Sequence, residues 1–169
     1  MKDIFKKLLL LTLAAFCQSC GIYKFNGTSI PPAMKTISVD FFENTAPLVI
    51  PTLSQAFTEE LKTRIRTQTR LNLIRDNADG HFEGRITDYN IAPVAITANE
   101  RANLVRLTIS VAVKYTNSID PTQDFEQPFS RYSEFSIENK TIQQQEPQII
   151  TIVNKMLIED IFNKAFANW

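Results

Sequence analysis

The sequence predicts an α+β fold: a two-layer sandwich in the order β-α-β-β-β-α, with a four-stranded sheet and two helices on one face. Three observations carry this expectation. Val105, Leu107, Ile109, Val111, Val113 and Tyr115 alternate strictly with Arg106, Thr108, Ser110, Ala112 and Lys114, which is the period of a half-buried strand. Leu53, Phe57, Leu61 and Ile65 recur every fourth residue, and so do Val153, Leu157, Ile161 and Ala165, which is the stripe of an amphipathic helix. Between the two helical patterns lie three consecutive strand patterns separated by turn residues.

Taken in order, residues 21–34 hold Gly27, Pro31 and Pro32 without periodicity and read as a tether. A first strand spans Lys35 to Glu43, with Ile37, Val39 and Phe41 inward. The first helix runs from Leu53 to about Arg70, opened by a capping box between Thr52 and Gln55 and widened by Ala56. The apolar stretch Leu71 to Arg75 leads into the turn Asp76-Asn-Ala-Asp-Gly80. The second strand runs from His81 to about Ala92. Phe82 and Ile86 fall on one face and Tyr89 and Ile91 on the other, so a bulge is expected near Gly84 or Asp88. The third strand is the alternating run through Tyr115. The fourth, Asp124 to Phe135, puts Phe125, Phe129 and Phe135 on one side. The last helix is expected to start at Pro147, a favourable first position, with Ile150 joining its stripe and Trp169 ending the chain.

With 169 residues, 44% hydrophobic and 21% charged, there is room for one packed domain and hardly two. Residues 1–19 read as a lipoprotein signal peptide: Lys2, Lys6 and Lys7 precede a short apolar run from Leu8 to Phe16. That run is too short to span a bilayer. Ser19 before Cys20 is the small residue a lipoprotein signal peptidase requires, and Gly21 follows. Cys17 stands three places before Cys20, where a Leu is more usual. Cys20 is therefore the expected lipidation site, acylated so that several chains hold the protein to a membrane. Residues 20–34 form the lipidated tether and residues 35–169 the domain. No acidic cluster follows Cys20, which favours the periplasm-facing leaflet of the outer membrane. Loss of residues 1–19 leaves 15 basic and 17 acidic residues, a balance without the basic footprint of a nucleic-acid binder. The spacing Cys17-x-x-Cys20 matches a redox or metal pair, but it ends an apolar run and no second ligand pair follows.

No catalytic set is visible. The chain has one histidine, His81, which reads as a solvated loop residue without a partner. There is no nucleophile elbow, phosphate-cradling glycine loop or His/Glu ligand spacing, so neither enzyme activity, a metal nor another cofactor is expected. Glu59 and Glu60 sit early in the first helix, where carboxylates complement its dipole. Candidate binding residues are basic: Arg101, Arg106 and Lys114 on or before the third strand, and Arg131 on the fourth. Such side chains clamp phosphates, though a solvated, charged sheet face that discourages edge pairing is the favoured reading.

Several stretches carry a family resemblance. They are Lys35-Thr-Ile-Ser-Val-Asp-Phe-Phe, Pro51-Thr-Leu-Ser-Gln-Ala-Phe-Thr-Glu-Glu-Leu-Lys, Phe82-Glu-Gly-Arg-Ile-Thr-Asp-Tyr and Asn103-Leu-Val-Arg-Leu-Thr-Ile-Ser-Val. Phe125-Glu-Gln-Pro-Phe-Ser-Arg-Tyr and the ending Ile158-Glu-Asp-Ile-Phe-Asn-Lys-Ala-Phe-Ala-Asn-Trp complete the set. In their number and order they resemble the LptE family of lipopolysaccharide-assembly lipoproteins, in its Bacteroidota-type form. The resemblance implies a non-enzymatic plug in an LptD-type outer-membrane β-barrel that helps the barrel assemble and binds lipopolysaccharide. It supplies no motif that transfers binding residues to this chain. Two other readings stand beside it: a lipoprotein adaptor of another envelope transport or secretion system, and a lipid-anchored hydrolase, which the missing nucleophile–base pair opposes.

Overall fold

Six strands and two helices build the domain, in a computed structural model that describes residues 30–48, 50–94 and 104–167. The signal segment, Cys20, Arg101 and Trp169 lie outside the described residues. The strands are β1 (Thr36–Val39), β2 (Glu43–Asn44), β3 (Asn72–Leu73), β4 (Gly80–Pro93), β5 (Leu104–Asn117) and β6 (Phe125–Ser136). The helices are α1 (Leu53–Gln68) and α2 (Ile142–Phe166). They form one mixed sheet in the order β3-β1-β4-β5-β6, with β2 beside β4. β1, β2 and β3 pair in parallel, whereas β4, β5 and β6 are antiparallel. The α+β sandwich is as expected; the strand count is not. β3 formed because α1 carries the chain back alongside β1, where the short run Asn72–Leu73 finds an edge.

All the large apolar side chains of the inner sheet face join those of both helices in one core. β5 behaves as its alternation requires, with Val105 through Tyr115 buried at every second position. β4 needs an adjustment. Its register against β5 shifts between Ile86 and Asp88, so Phe82, Ile86 and Tyr89 all reach the core. The bulge falls beside Asp88 rather than at Gly84.

β1 needs a second adjustment, and here the sequence reading fails. Val39 lies opposite Phe82 but Glu43 opposite Arg85: four steps on one strand against three on the other. The extra residue turns the chain over. Phe41 is 57% exposed and Phe42 fully buried, the reverse of the expected alternation. The slip is fixed on both sides. Asp40 N donates to Phe82 O at 2.9 Å, and Phe42 N donates to the buried Thr58 Oγ1 of α1 at 3.1 Å. The Phe42 ring packs tilted against Phe57, centroids 5.1 Å apart, and lies over Gly84, where any Cβ would collide with it and with the Ala112 carbonyl. Gly84 is thus a cradle for a ring rather than a bulge.

In α1, Leu53, Phe57, Leu61 and Ile65 are buried as expected, but Ser54 and Thr58 flank them and Ala56 is exposed. The capping box at Thr52 does not form, because Thr52 already has helical backbone angles and its side chain makes no cap bond. The helix ends at Gln68, where Thr69 turns extended and donates Oγ1 to Ile65 O at 2.8 Å. The true capping box opens α2, five residues earlier than expected. Thr141 Oγ1 accepts from Gln144 N, and Gln144 Oε1 accepts from Thr141 N at 3.0 Å. Pro147 therefore lies inside the helix, one hydrogen bond short at its N-terminal end. Ile149, not Ile150, leads the buried stripe. At the far end Phe162 and Phe166 close an aromatic cluster, with Phe166 edge-on to Phe82 at 6.0 Å and to Tyr115 at 5.8 Å.

The turn before β4 ties three segments together. Asn77 takes a left-handed φ of 55°, which Asn tolerates better than most residues. Asp79 Oδ2 accepts from Lys35 N at 2.7 Å and Thr36 N at 2.9 Å, while its own N donates to Thr36 Oγ1. Its carbonyl accepts from Ser118 N at 2.8 Å. One residue thus joins the entry of β1, the start of β4 and the β5–β6 turn.

Ile109→Asp puts a charge into the closed core and should abolish the cooperative melt, whereas Phe57→Ala should cost about 3–5 kcal/mol; denaturant unfolding checks both. The backbone donors of Lys35, then Thr36, hold the Asp79 carboxyl below its usual range. Its contribution is present above the unfolded value of about 4 and is lost as pH falls through the lower folded value. Asp79→Ala should therefore melt below the parent at pH 6, and the gap should narrow steadily on acidification.

Candidate functional site

The helices cover one face of the sheet and leave the other bare, and that bare face is where the chain presents its chemistry. Alternation on β4, β5 and β6 sends Glu83, Arg85, Arg106, Ser110, Lys114, Glu134 and their neighbours outward. Across the strands opposite charges meet. Arg106 lies opposite Glu134, with Nη2–Oε1 at 2.5 Å and Nε–Oε1 at 3.0 Å, and its guanidinium covers the Tyr132 ring at 4.2 Å. Lys114 lies opposite Glu83, with Nζ–Oε1 at 2.6 Å. The Glu83 bond raises the Lys114 ammonium, and the same bond lowers the Glu83 carboxyl. Ser110 and Ser130 share a bond of 2.9 Å between the two charged pairs.

Of the four basic residues singled out, Arg106 and Lys114 share this face but stand eight residues apart on one strand, about 26 Å. They do not converge on one phosphate. Arg131 points to the helical side, where it grips Asp160 of α2 with two bonds of 2.5 and 2.8 Å. Those bonds raise its guanidinium and tie β6 to α2. Arg101 lies outside the described residues.

A concavity opens on the bare face where β1 gives way to β2, lined by Asp40, Phe41, Glu43, Glu83, Arg85 and Lys114. His81 adjoins it, and here the structure corrects the reading of a solvated loop residue. His81 belongs to β4, side chain one-third exposed, with Nδ1 at 2.7 Å from Ser38 Oγ and Nε2 at 3.4 Å from Asp40 Oδ2. Ser, His and Asp in sequence invite a catalytic comparison, but the exposures are the wrong way round. Ser38 is 4% exposed and beyond the reach of a substrate, while the Asp40 side chain is 54% exposed. A hydrolytic triad needs the reverse: an open serine and an acid that orients the imidazole from within. Asp40, His81 and Glu83 do bring three possible ligand atoms within 4.8 Å of one another. Part of that group was legible, because His81 and Glu83 are two apart on one strand and share a face. Asp40 was not, because its position depends on the slip in β1.

The opposite layer holds a different polar link. Tyr89 OH donates to Glu146 Oε1 at 2.5 Å, joining the second half of β4 to the first turns of α2. Burial, with Glu146 beside it, raises the Tyr89 phenol far above its usual range, so it remains a donor at every physiological pH.

The described residues thus form a helix-backed α+β sheet with one bare, charge-paired face. Solved structures share the fold. A minor lipoprotein from Acinetobacter baumannii is 17% identical, with 78% of this chain and 91% of that one covered and a TM-score of 0.53. A hypothetical protein from Chlamydia trachomatis is 10% identical, with 80% and 100% covered and a TM-score of 0.54. No curated protein matches the chain in sequence. The profile of the LptE family, described as lipopolysaccharide-assembly, matches residues 34–165, nearly the whole of the folded domain. The chain belongs to the LptE family.

Charge pairs this exposed contribute little to folding. Arg106→Gln and Lys114→Gln, singly or together, should leave the melting temperature within about 3 °C of the parent. A larger fall, read by circular dichroism, would make the pairs structural rather than surface chemistry.

Proposed function

We propose that this protein is a non-enzymatic component of the outer-membrane lipopolysaccharide translocon. It is anchored through a lipidated Cys20 after removal of residues 1–19, and it seats residues 35–169 as a plug in an LptD-type β-barrel. The match of the LptE family to residues 34–165 carries this reading. Three further observations support it. The family assembles lipopolysaccharide and is not an enzyme family. No helix among the described residues is long and apolar enough to cross a membrane, so attachment through a lipid and a barrel partner suits this chain. The bare sheet face is polar and charge-balanced, which suits contact with the largely polar lumen of a barrel. Residues 20–34 then serve as the tether between anchor and domain, with the domain facing the periplasm or the lumen.

Lipopolysaccharide carries phosphates, and on this reading Arg106 and Lys114 meet them as separate contacts along the face. Each would exchange a carboxylate partner for a phosphate. Arg131 instead holds α2 in place through Asp160, and Arg101 remains a candidate from the sequence alone.

The test is a pull-down of the C-terminally tagged protein from membranes in mild detergent. A stoichiometric large β-barrel should copurify. Its absence, with the protein intact and lipidated, would overturn the plug reading, and an inner-membrane transporter in its place would make the protein an adaptor of another envelope system. Charge reversal at Arg106 and Lys114 together should weaken lipopolysaccharide binding at least about tenfold, the scale of one lost charge-assisted contact. An unchanged affinity would remove the bare face from the lipopolysaccharide site.

A further inference from the structure

The geometry points to a divalent transition-metal site of the zinc class on the bare sheet face, held by Asp40, His81 and Glu83. It is independent of the lipopolysaccharide reading. One separation in this cluster is longer than a charge-assisted hydrogen bond. His81 Nε2 stands 3.4 Å from Asp40 Oδ2, whereas a charge-assisted N–H···O bond closes to about 2.7–2.9 Å. Two ligands each about 2.0–2.1 Å from a tetrahedral ion lie about 3.3–3.4 Å apart. An ion pair can stand at this separation, and so can two ligands of one ion.

The imidazole is oriented for the task. Ser38 Oγ is buried, 2.7 Å from His81 Nδ1, and it also donates, at 3.4 Å, to the Gly80 carbonyl. In the tautomer in which Ser38 turns its proton to Gly80 and accepts from Nδ1–H, Nε2 keeps a lone pair facing Asp40. A lone pair aimed at a carboxylate is repulsive unless a proton or a cation stands between them. A second-sphere acceptor on the far ring nitrogen is what metal-binding histidines have.

The third ligand comes from the same strand. Glu83 is two residues beyond His81, on the same face, and the three ligand atoms lie within 4.8 Å of one another. Lys114 engages only Oε1 of Glu83, which leaves Oε2 for an ion. The backbone holds the arrangement as well. β1 and β4 pair through Ser38 and His81, and Asp40 N is bonded to Phe82 O. One imidazole and two carboxylates suit zinc-class ions, whereas calcium and magnesium prefer all-oxygen sets. The fourth position faces solvent and takes a water, so the ion is exchangeable and clips the end of β1 to β4.

The test uses the full chain from membranes in detergent, carrying a tag without histidines, with thiols alkylated so that cysteines cannot bind metal. Zinc chloride is titrated calorimetrically, and cobalt chloride is followed by its visible absorption. One zinc per chain should bind, with four-coordinate cobalt absorption and a rise in melting temperature on zinc addition. Affinity should fall at least about tenfold in His81→Gln and in Asp40→Asn, and about tenfold in Ser38→Ala, which touches no metal. Glu134→Gln, outside the site, should bind as the parent does. Because Asp40 is exposed, its variant stays folded even if the buried Ser38 variant does not, and circular dichroism of each metal-free variant separates lost ligation from lost fold. Absence of saturable binding, zinc affinity unchanged in His81→Gln and Asp40→Asn, or calcium binding as tightly as zinc would overturn the proposal.

Discussion

One constraint organises this molecule: its sheet is covered on one side only, so every long strand must deliver its apolar residues to that side. β5 meets the demand without help, because its alternation never breaks from Val105 to Tyr115. Its neighbour β4 and the chain through β1 and β2 do not, and each inserts a residue to correct the phase. A one-residue slip costs a ladder bond and some strain but rescues several large side chains, and burial at about 25 cal/mol per Å² makes that exchange favourable. The rest of the core depends on these slips. Phe42 can meet Phe57 only because the chain turned over after Val39, and Tyr89 can reach both core and Glu146 only because of the bulge in β4.

The same constraint shapes the bare face. Whatever is not delivered to the core is delivered outward, in register, so that the outward residues of adjacent strands face each other in pairs. Arg106 with Glu134 and Lys114 with Glu83 are the consequence. A face of paired charges has little net field and presents its cations only to a ligand able to displace a carboxylate. The slip in β1 also sends Phe41 and Asp40 outward beside His81, and so creates the concavity. The corrections that complete the core thereby set the chemistry of the opposite surface.

The family assignment draws on a different kind of information from the site. It rests on stretches spread along the whole domain, and the profile match spans them. The site depends on which side chains the register brings together. Arg131 shows the difference. Its basic character suggested a ligand contact, but parity with Phe129 placed it on the helical side, where Asp160 of α2 occupies it. His81 shows the reverse. Alone in the sequence it had no partner, yet pairing of β1 with β4 put Ser38 on one ring nitrogen and Asp40 near the other.

The sequence by itself determined the class of fold, the positions of both helices, the inner and outer faces of β5 and β6, and the need for a bulge in β4. These are local properties: a period of two or of about 3.6 is written in neighbouring residues. Only the tertiary structure decided the rest. The short strands β2 and β3 exist because longer strands offer them an edge, and Phe42 replaced Phe41 in the core because Gly84 and Thr58 receive it there. The cluster at Asp40, His81 and Glu83 belongs with these, since Asp40 stands some 40 residues from the other two and meets them only through strand pairing. Pairing energy between distant segments has no signature in either segment alone, so the chain reveals it only when folded.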